Sequence, residues 1–198
     1  TFTGLRFLIA AAAVLPFALR EAFREGQKPL TRRDWKYFCL VGLAFFFGIT
    51  LQQAGLVVTS VTNAGLFTGL YVVFTPVVGL LLFRDKPHPV IWPASLIALG
   101  GTWLLGGGVD TFNWGDILVI VCAVFWALHI TLIGRLGVDS GRPLALSTWQ
   151  FFFVGVLALL PGLYFEEVSL PAIRAAGFEL LYTSLISGGF AFTLQTIG

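Results

Sequence analysis

Apolar runs of about twenty residues, separated by short polar breaks, recur seven times along the chain. They lie near residues 2–20, 36–58, 63–83, 89–106, 115–134, 145–165 and 178–198, here spans A to G. A helix that crosses the hydrocarbon core of a bilayer needs roughly 20 apolar residues, so each run predicts one membrane span. The breaks carry turn formers: RDKPHP at 84–89, LGGGVDTFN at 105–113 and GVDSGRP at 137–143.

Polar residues inside the runs are few, and one group recurs. Span B ends FGITLQQAG and span G ends FAFTLQTIG, so that Phe47, Thr50, Leu51, Gln52 and Gly55 match Phe190, Thr193, Leu194, Gln195 and Gly198 at an offset of 143. Spans A and F share Phe, Ala, Leu and Pro between FLIAAAAVLP at 7–16 and FFVGVLALLP at 152–161, at an offset of 145. Two matches in the same order at nearly one offset point to duplication.

Charge gives the direction of each span. Arg20, Arg24, Lys28, Arg32, Arg33 and Lys36 fill the A–B loop, Arg84 and Lys86 the C–D loop, and Arg135 and Arg142 the E–F loop. The opposite side holds only Arg174, with Arg6 left inside span A. Loops rich in Lys and Arg stay in the cytoplasm, which makes A–B, C–D and E–F the cytoplasmic loops. A and F then run in opposite directions, as do B and G. Similar spans of opposite direction form an inverted repeat, the plan of many secondary transporters.

Composition agrees with lipid as the solvent. The chain is 57% hydrophobic and 11% charged, with a mean hydropathy of +0.90, against roughly 45–50% and about 25% in a soluble domain. A net charge of +2, without a basic face interleaved with aromatics, excludes nucleic acid as a partner. Cys39 and Cys122 fall inside apolar runs, where free Cys behaves as a small hydrophobe, and predict neither a disulfide nor a metal site. The chain has no methionine and opens directly into a span, so it is expected to be a fragment of a longer membrane protein.

Chemistry-bearing residues are sparse. All ten acids lie in loops or near span ends, leaving no mid-span carboxylate to relay protons. No nucleophile–base pair, carboxylate pair or metal set stands out, which disfavours an enzyme. His129 lies three residues after Trp126 and shares its helix face. It is either bonded to a neighbouring span or lines a cavity, where it titrates near neutrality. Arg6 either snorkels to the interface or faces an interior cavity and attracts an anionic group. Gln52 and Gln53 point about 100° apart on a helix. Gln52 is either interhelical glue or, with Gln195, part of a shared cavity lining, with Gln53 left for packing. Span C carries Asn63, the small-residue pair Gly65 and Gly69, Tyr71 and a helix-bending Pro76. Trp149 and Gln150 of span F are an interface anchor or cavity lining.

The order of spans, LQQAGLVVTSVTNAGLFTGLYVVFTPVVGLLLFRDK across B and C, and GGTWLL closing D resemble the EamA family of the drug/metabolite transporter superfamily. The resemblance covers essentially the whole chain. The family often has a glutamate just after its fourth span, where this chain offers Asp85 one step beyond Arg84. The resemblance implies an all-α integral membrane protein, a ten-span bundle of two inverted five-helix repeats. This chain would hold spans two to eight: 1–106 the rest of the first repeat and 115–198 the start of the second. It implies a multi-pass transporter of the bacterial inner membrane that exports or exchanges small metabolites such as amino acids or drugs by alternating access. A non-transporting scaffold, a lipid-modifying membrane protein and a channel are the rival readings. The expected partners are a small-molecule substrate and the lipid bilayer, without a cofactor; the sequence carries no mark of oligomeric state. Gln52, Tyr71, Trp126, His129, Trp149 and Gln195 are placed near the midplane cavity.

Overall fold

Every one of the seven runs is helical in the computed structural model, which describes residues 1–27, 29–84, 86–109, 111–137, 140–166 and 169–197. Lys28, Asp85, Asp110, Asp139, Glu167 and Gly198, which enter the pattern of charges and repeats, lie outside the described residues. The helices are α1 Phe2–Ala22, α2 Arg32–Leu56, α3 Val61–Gly69, α4 Tyr71–Phe83, α5 Ile91–Gly106, α6 Trp114–Leu132, α7 Pro143–Phe165, α8 Leu170–Ala175, α9 Gly177–Tyr182 and α10 Thr193–Ile197. Wider π-helical turns cover Ile133–Gly137 and Thr183–Phe192. Among the described residues there is no strand. Among the described residues six segments are long and apolar enough to cross a membrane, and the shorter apolar helix Ile91–Leu104 corresponds to span D. The chain is thus an all-helical, multi-pass membrane protein.

Local chemistry explains where several helices start and bend. Thr31 and Asp34 form a capping box ahead of α2: the Thr31 N–H donates to Asp34 Oδ2 (2.7 Å) and the Asp34 N–H to Thr31 Oγ1 (3.3 Å). Ser60 accepts from the Asn63 N–H at 3.1 Å and starts α3. Span C is one helical segment from Val61 to Phe83, in which α3 and α4 meet at Leu70, itself in right-handed helical conformation. Pro76 inside α4 has no N–H, so the carbonyl of Val72, four residues earlier, loses its intrahelical donor. Ser95 Oγ of α5 donates to that carbonyl at 3.4 Å. A neighbouring hydroxyl is the usual remedy for a proline inside lipid.

The helices divide into two compact units, Thr1–Phe46 with Leu132–Gly198, and Phe47–Thr131. In the first unit, α1 and α7 pack antiparallel. A methyl added at Gly4 would lie 2.7 Å from the Leu159 backbone, and one at Gly155 would lie 2.8 Å from the Leu8 side chain. Lipid tails are as apolar as these side chains, so close approach and dispersion hold such helices together rather than escape from water. Beside this contact lies a cluster of rings. Phe7 of α1 meets Phe45 of α2 edge-on at 5.0 Å, with Phe151 of α7 at 6.0 Å and Phe192 at 6.5 Å. Phe7, Phe45 and Phe151 are wholly buried. At one end of the pair, Glu21 of α1 accepts from the Leu144 and Ala145 N–H groups at 3.2 and 3.0 Å, capping the start of α7. Gln27 adds bonds to the Gly141 carbonyl (3.3 Å) and from Arg142 Nε (3.4 Å).

The second unit is built from the end of α2 and from α3 to α6. Its tightest point is a polar corner. A methyl added at Gly115 would lie 2.8 Å from both the Gly55 carbonyl and the Thr59 nitrogen. Asn113 and Asp116 make a capping box for α6: Asn113 Oδ1 accepts from the Gly115 N–H (2.7 Å), and Asp116 Oδ2 accepts from the Asn113 N–H (2.6 Å). The Thr59 hydroxyl donates to the other Asp116 oxygen. Asp116 and its third neighbour, Asn63, are both wholly buried.

Candidate functional site

The junction of α3 and α4 borders a cavity of about 460 Å³ in the second unit. Its polar lining comes from Gln52 of α2, Thr68 of α3, Tyr71 of α4 and Thr102 of α5, with Ala64 and Val72 among the apolar walls. Ala64, Thr68 and Tyr71 are spaced four and three residues apart, which puts them on one helical face. Gln52 Nε2 donates to Thr68 Oγ1 at 3.2 Å. Thr102 Oγ1 donates to its own helix at the Ala98 carbonyl, 3.0 Å away, so it faces a ligand as an acceptor. The lining therefore offers amide, hydroxyl and phenol groups and no formal charge. It suits a small solute with hydrogen-bonding groups.

Trp126 and His129 stand next to this face without lining the cavity. Their rings meet edge-on at 5.6 Å, and both are buried. The Trp126 indole covers Gly48 of α2, where an added methyl would lie 3.5 Å from the ring. Gly48 and Gln52 are one turn apart on α2, so the α6 pair abuts the helix face that carries Gln52. Four of the six residues singled out by sequence are thus gathered in one unit.

The other two lie elsewhere. Trp149 of α7 belongs to the first unit, where it meets Trp35 edge-on at 5.0 Å and borders a different, alanine-lined hollow of about 540 Å³. Gln195 is exposed on α10. The buried amide in that region is Gln150, whose Nε2 donates to Thr196 Oγ1 at 3.4 Å. Gln53, expected to pack, is exposed as well; its direction, about 100° from Gln52, turns it off the helix contact. Arg6 holds its guanidinium carbon 4.6 Å from the centroid of the Phe7 ring.

Thr68 and Thr102 were not singled out by sequence, since a lone threonine in an apolar run usually bonds its own helix. Helical spacing from Tyr71 back to Thr68 was the signal that would have found the first. Among the described residues no three His, Cys, Asp or Glu side chains gather as a metal site requires.

Comparisons with known proteins place this geometry. An uncharacterized transporter of Archaeoglobus fulgidus is 34% identical over 157 residues, covering 79% of this chain and 46% of the relative. The uncharacterized transporter YdeK of Bacillus subtilis is 31% identical over 205 positions, covering 92% of this chain and 69% of the relative. The chain therefore spans about half the length of the first and two thirds of the second. A crystal structure at 20% identity superposes with a TM-score of 0.79 over 100% of this chain and 68% of its own, and shares the fold. The model of the EamA-like transporter family matches twice in tandem, over residues 1–107 and 113–198, and the chain belongs to that family.

Proposed function

We propose that this chain belongs to a secondary transporter that carries small metabolites across the bacterial inner membrane by alternating access. The observation that carries the reading is the polar cavity beside the junction of α3 and α4, lined by Gln52, Thr68 and Tyr71. Polar side chains gathered around a hollow within membrane spans mark a solute path, because lipid offers such groups no partner. Gln52 and Tyr71 contact the solute; Trp126 and His129 shape the wall behind Gln52. Trp149 and Gln195 are assigned to the solute path from their place in the sequence pattern. The protein is a carrier and not an enzyme. Loops A–B, C–D and E–F face the cytoplasm. Residues 1–106 and 115–198 belong to two inverted repeats, a reading supported by the tandem family matches and by the antiparallel packing of the mates α1 and α7.

The test is solute flux by the full-length protein in vesicles, with Gln52→Leu, Tyr71→Phe and His129→Leu compared at equal membrane abundance. Gln52→Leu is expected to lower flux about tenfold, because a hydrogen bond to a positioned solute is lost. Unchanged flux in all three variants removes the cavity assignment. No flux from the wild type, with any of a broad set of amino acids and aromatic amines, favours a non-transporting membrane protein.

A further inference from the structure

The hydrogen bonds already made around the cavity of the second unit leave a defined set of groups free. Gln52 spends one of its two N–H groups on Thr68 Oγ1 at 3.2 Å. Its other N–H and its carbonyl oxygen have no partner among the described residues. Thr68 accepts that bond and keeps its own O–H to give. Thr102 gives its O–H to the Ala98 carbonyl at 3.0 Å, so toward the cavity it can only accept. The Tyr71 phenol, bonded to no described residue, gives or accepts. The lining thus presents donors at Gln52 and Thr68, acceptors at Gln52 and Thr102, and Tyr71 as either. Among the described residues no lining side chain carries a formal charge.

Two glycines keep these groups reachable. Gly65 and Gly69 of α3 both line the cavity. A methyl added at Gly65 would meet nothing within 4 Å, and one at Gly69 would lie 3.8 Å from Thr102 Oγ1. The second would stand in front of the acceptor that Thr102 turns to a solute. An anion in this lining would face the acceptor oxygens of Gln52 and Thr102, and a cation would leave the donors of Gln52 and Thr68 unused. Either ion would also lose hydration with no opposite charge in the lining. We infer that the solute held here is uncharged and presents an N–H beside a carbonyl, as a carboxamide or a lactam does. The free N–H and carbonyl of Gln52 complement that pair, and Thr102 takes a further N–H. The inference rests on the transporter reading of this cavity and narrows it to neutral, amide-like solutes. A volume of about 460 Å³, toward the small end of ligand pockets of roughly 300–1,000 Å³, suits a solute of one ring.

The experiment follows exchange by the full-length protein in vesicles, above protein-free controls, and its melting temperature in detergent. The probes are nicotinamide with its acid nicotinate and its cation 1-methylnicotinamide, and uracil with its acid orotate. Nicotinamide or uracil is expected to exchange about tenfold faster than its charged relatives, and to raise the melting temperature where they do not. Thr102→Val keeps the shape and removes the acceptor. It is expected to lower exchange of the neutral probe about tenfold and to leave the solute-free melting temperature unchanged. Gly69→Ala, which covers that acceptor, is expected to act in the same direction. Gln52→Glu replaces the free N–H by charge and is expected to move the preference toward 1-methylnicotinamide. Equal or faster exchange of a charged probe by the wild type overturns the inference and keeps the transporter reading. Unchanged preference in all three variants does the same. A melting shift with the neutral probe, lost in Gln52→Glu but without flux, keeps the solute class and rejects the transporter reading. Neither exchange nor shift with any probe overturns the inference, while flux of other solutes in the preceding test still upholds the transporter.

Discussion

The two units solve one problem, joining apolar helices inside an apolar solvent, by opposite means. The first relies on rings and small residues: Phe7, Phe45, Phe151 and Phe192 interlock beside the Gly4 and Gly155 contacts of α1 with α7. The second relies on a polar corner, where Asp116 gathers Thr59 and Asn113 while Gly55 and Gly115 touch. Rings pack without direction and tolerate small shifts. Hydrogen bonds in a dry interior are directional and costly to leave half made. The unit with directional bonds is also the one with the polar-lined cavity. A hollow removes packing from the lining, so the helices around it need fixing at a defined point. The corner at α2, α3 and α6 supplies one.

Four substitutions break this contrast, in falling order of effect. Phe45→Ala empties the centre of the ring cluster and is expected to cost about 3–5 kcal/mol, read as a large fall in melting temperature in detergent with faster amide exchange confined to the first unit. Asp116→Ala strands the Thr59 hydroxyl and the Asn113 N–H in a buried corner. The expected loss is about 2–3 kcal/mol, with exchange rising at 55–60 and 113–116 while the first unit is unchanged. Equal exchange in both units after either substitution means that the chain unfolds as one cooperative block. Glu21→Ala uncaps α7 and is expected to cost about 0.5–2 kcal/mol, visible as faster exchange at Leu144 and Ala145. Ser95→Ala is the mildest, near 0.6 kcal/mol for a hydroxyl bond between membrane helices; a larger loss means that the α4–α5 contact depends on Pro76 being compensated.

Sequence made most of the fold legible, because the runs approach or exceed the length of a membrane-crossing helix and most of the breaks hold Gly, Pro or charge. The capping boxes at Thr31–Asp34 and Asn113–Asp116 were not read from sequence, although residues three positions apart were the signal for them. The bond from Ser95 to the Val72 carbonyl was not read either, because Pro76 marks the lost donor without naming the neighbour that replaces it. Site residues split the same way. Gln52 and Tyr71 border one cavity. Trp149 borders a separate hollow and Gln195 is exposed, because period and repeat fix a helical face without naming the neighbour that face meets. Asp116 is near a span end in sequence and wholly buried in space. Only its tertiary bond to Thr59, across 57 residues, turns a cap into a structural centre.

The bond from Glu21 to the first turn of α7 joins residues 123 positions apart, and all of the second unit lies between them. Ribosomes add roughly 5–20 residues per second, so α1 waits about 6–25 seconds after its own synthesis for the helix that it caps. The second unit, continuous in sequence, is complete before that partner emerges. Assembly therefore has an order written into the chain: the cavity-bearing unit closes first, and the ring-packed unit closes around an early helix and a late one.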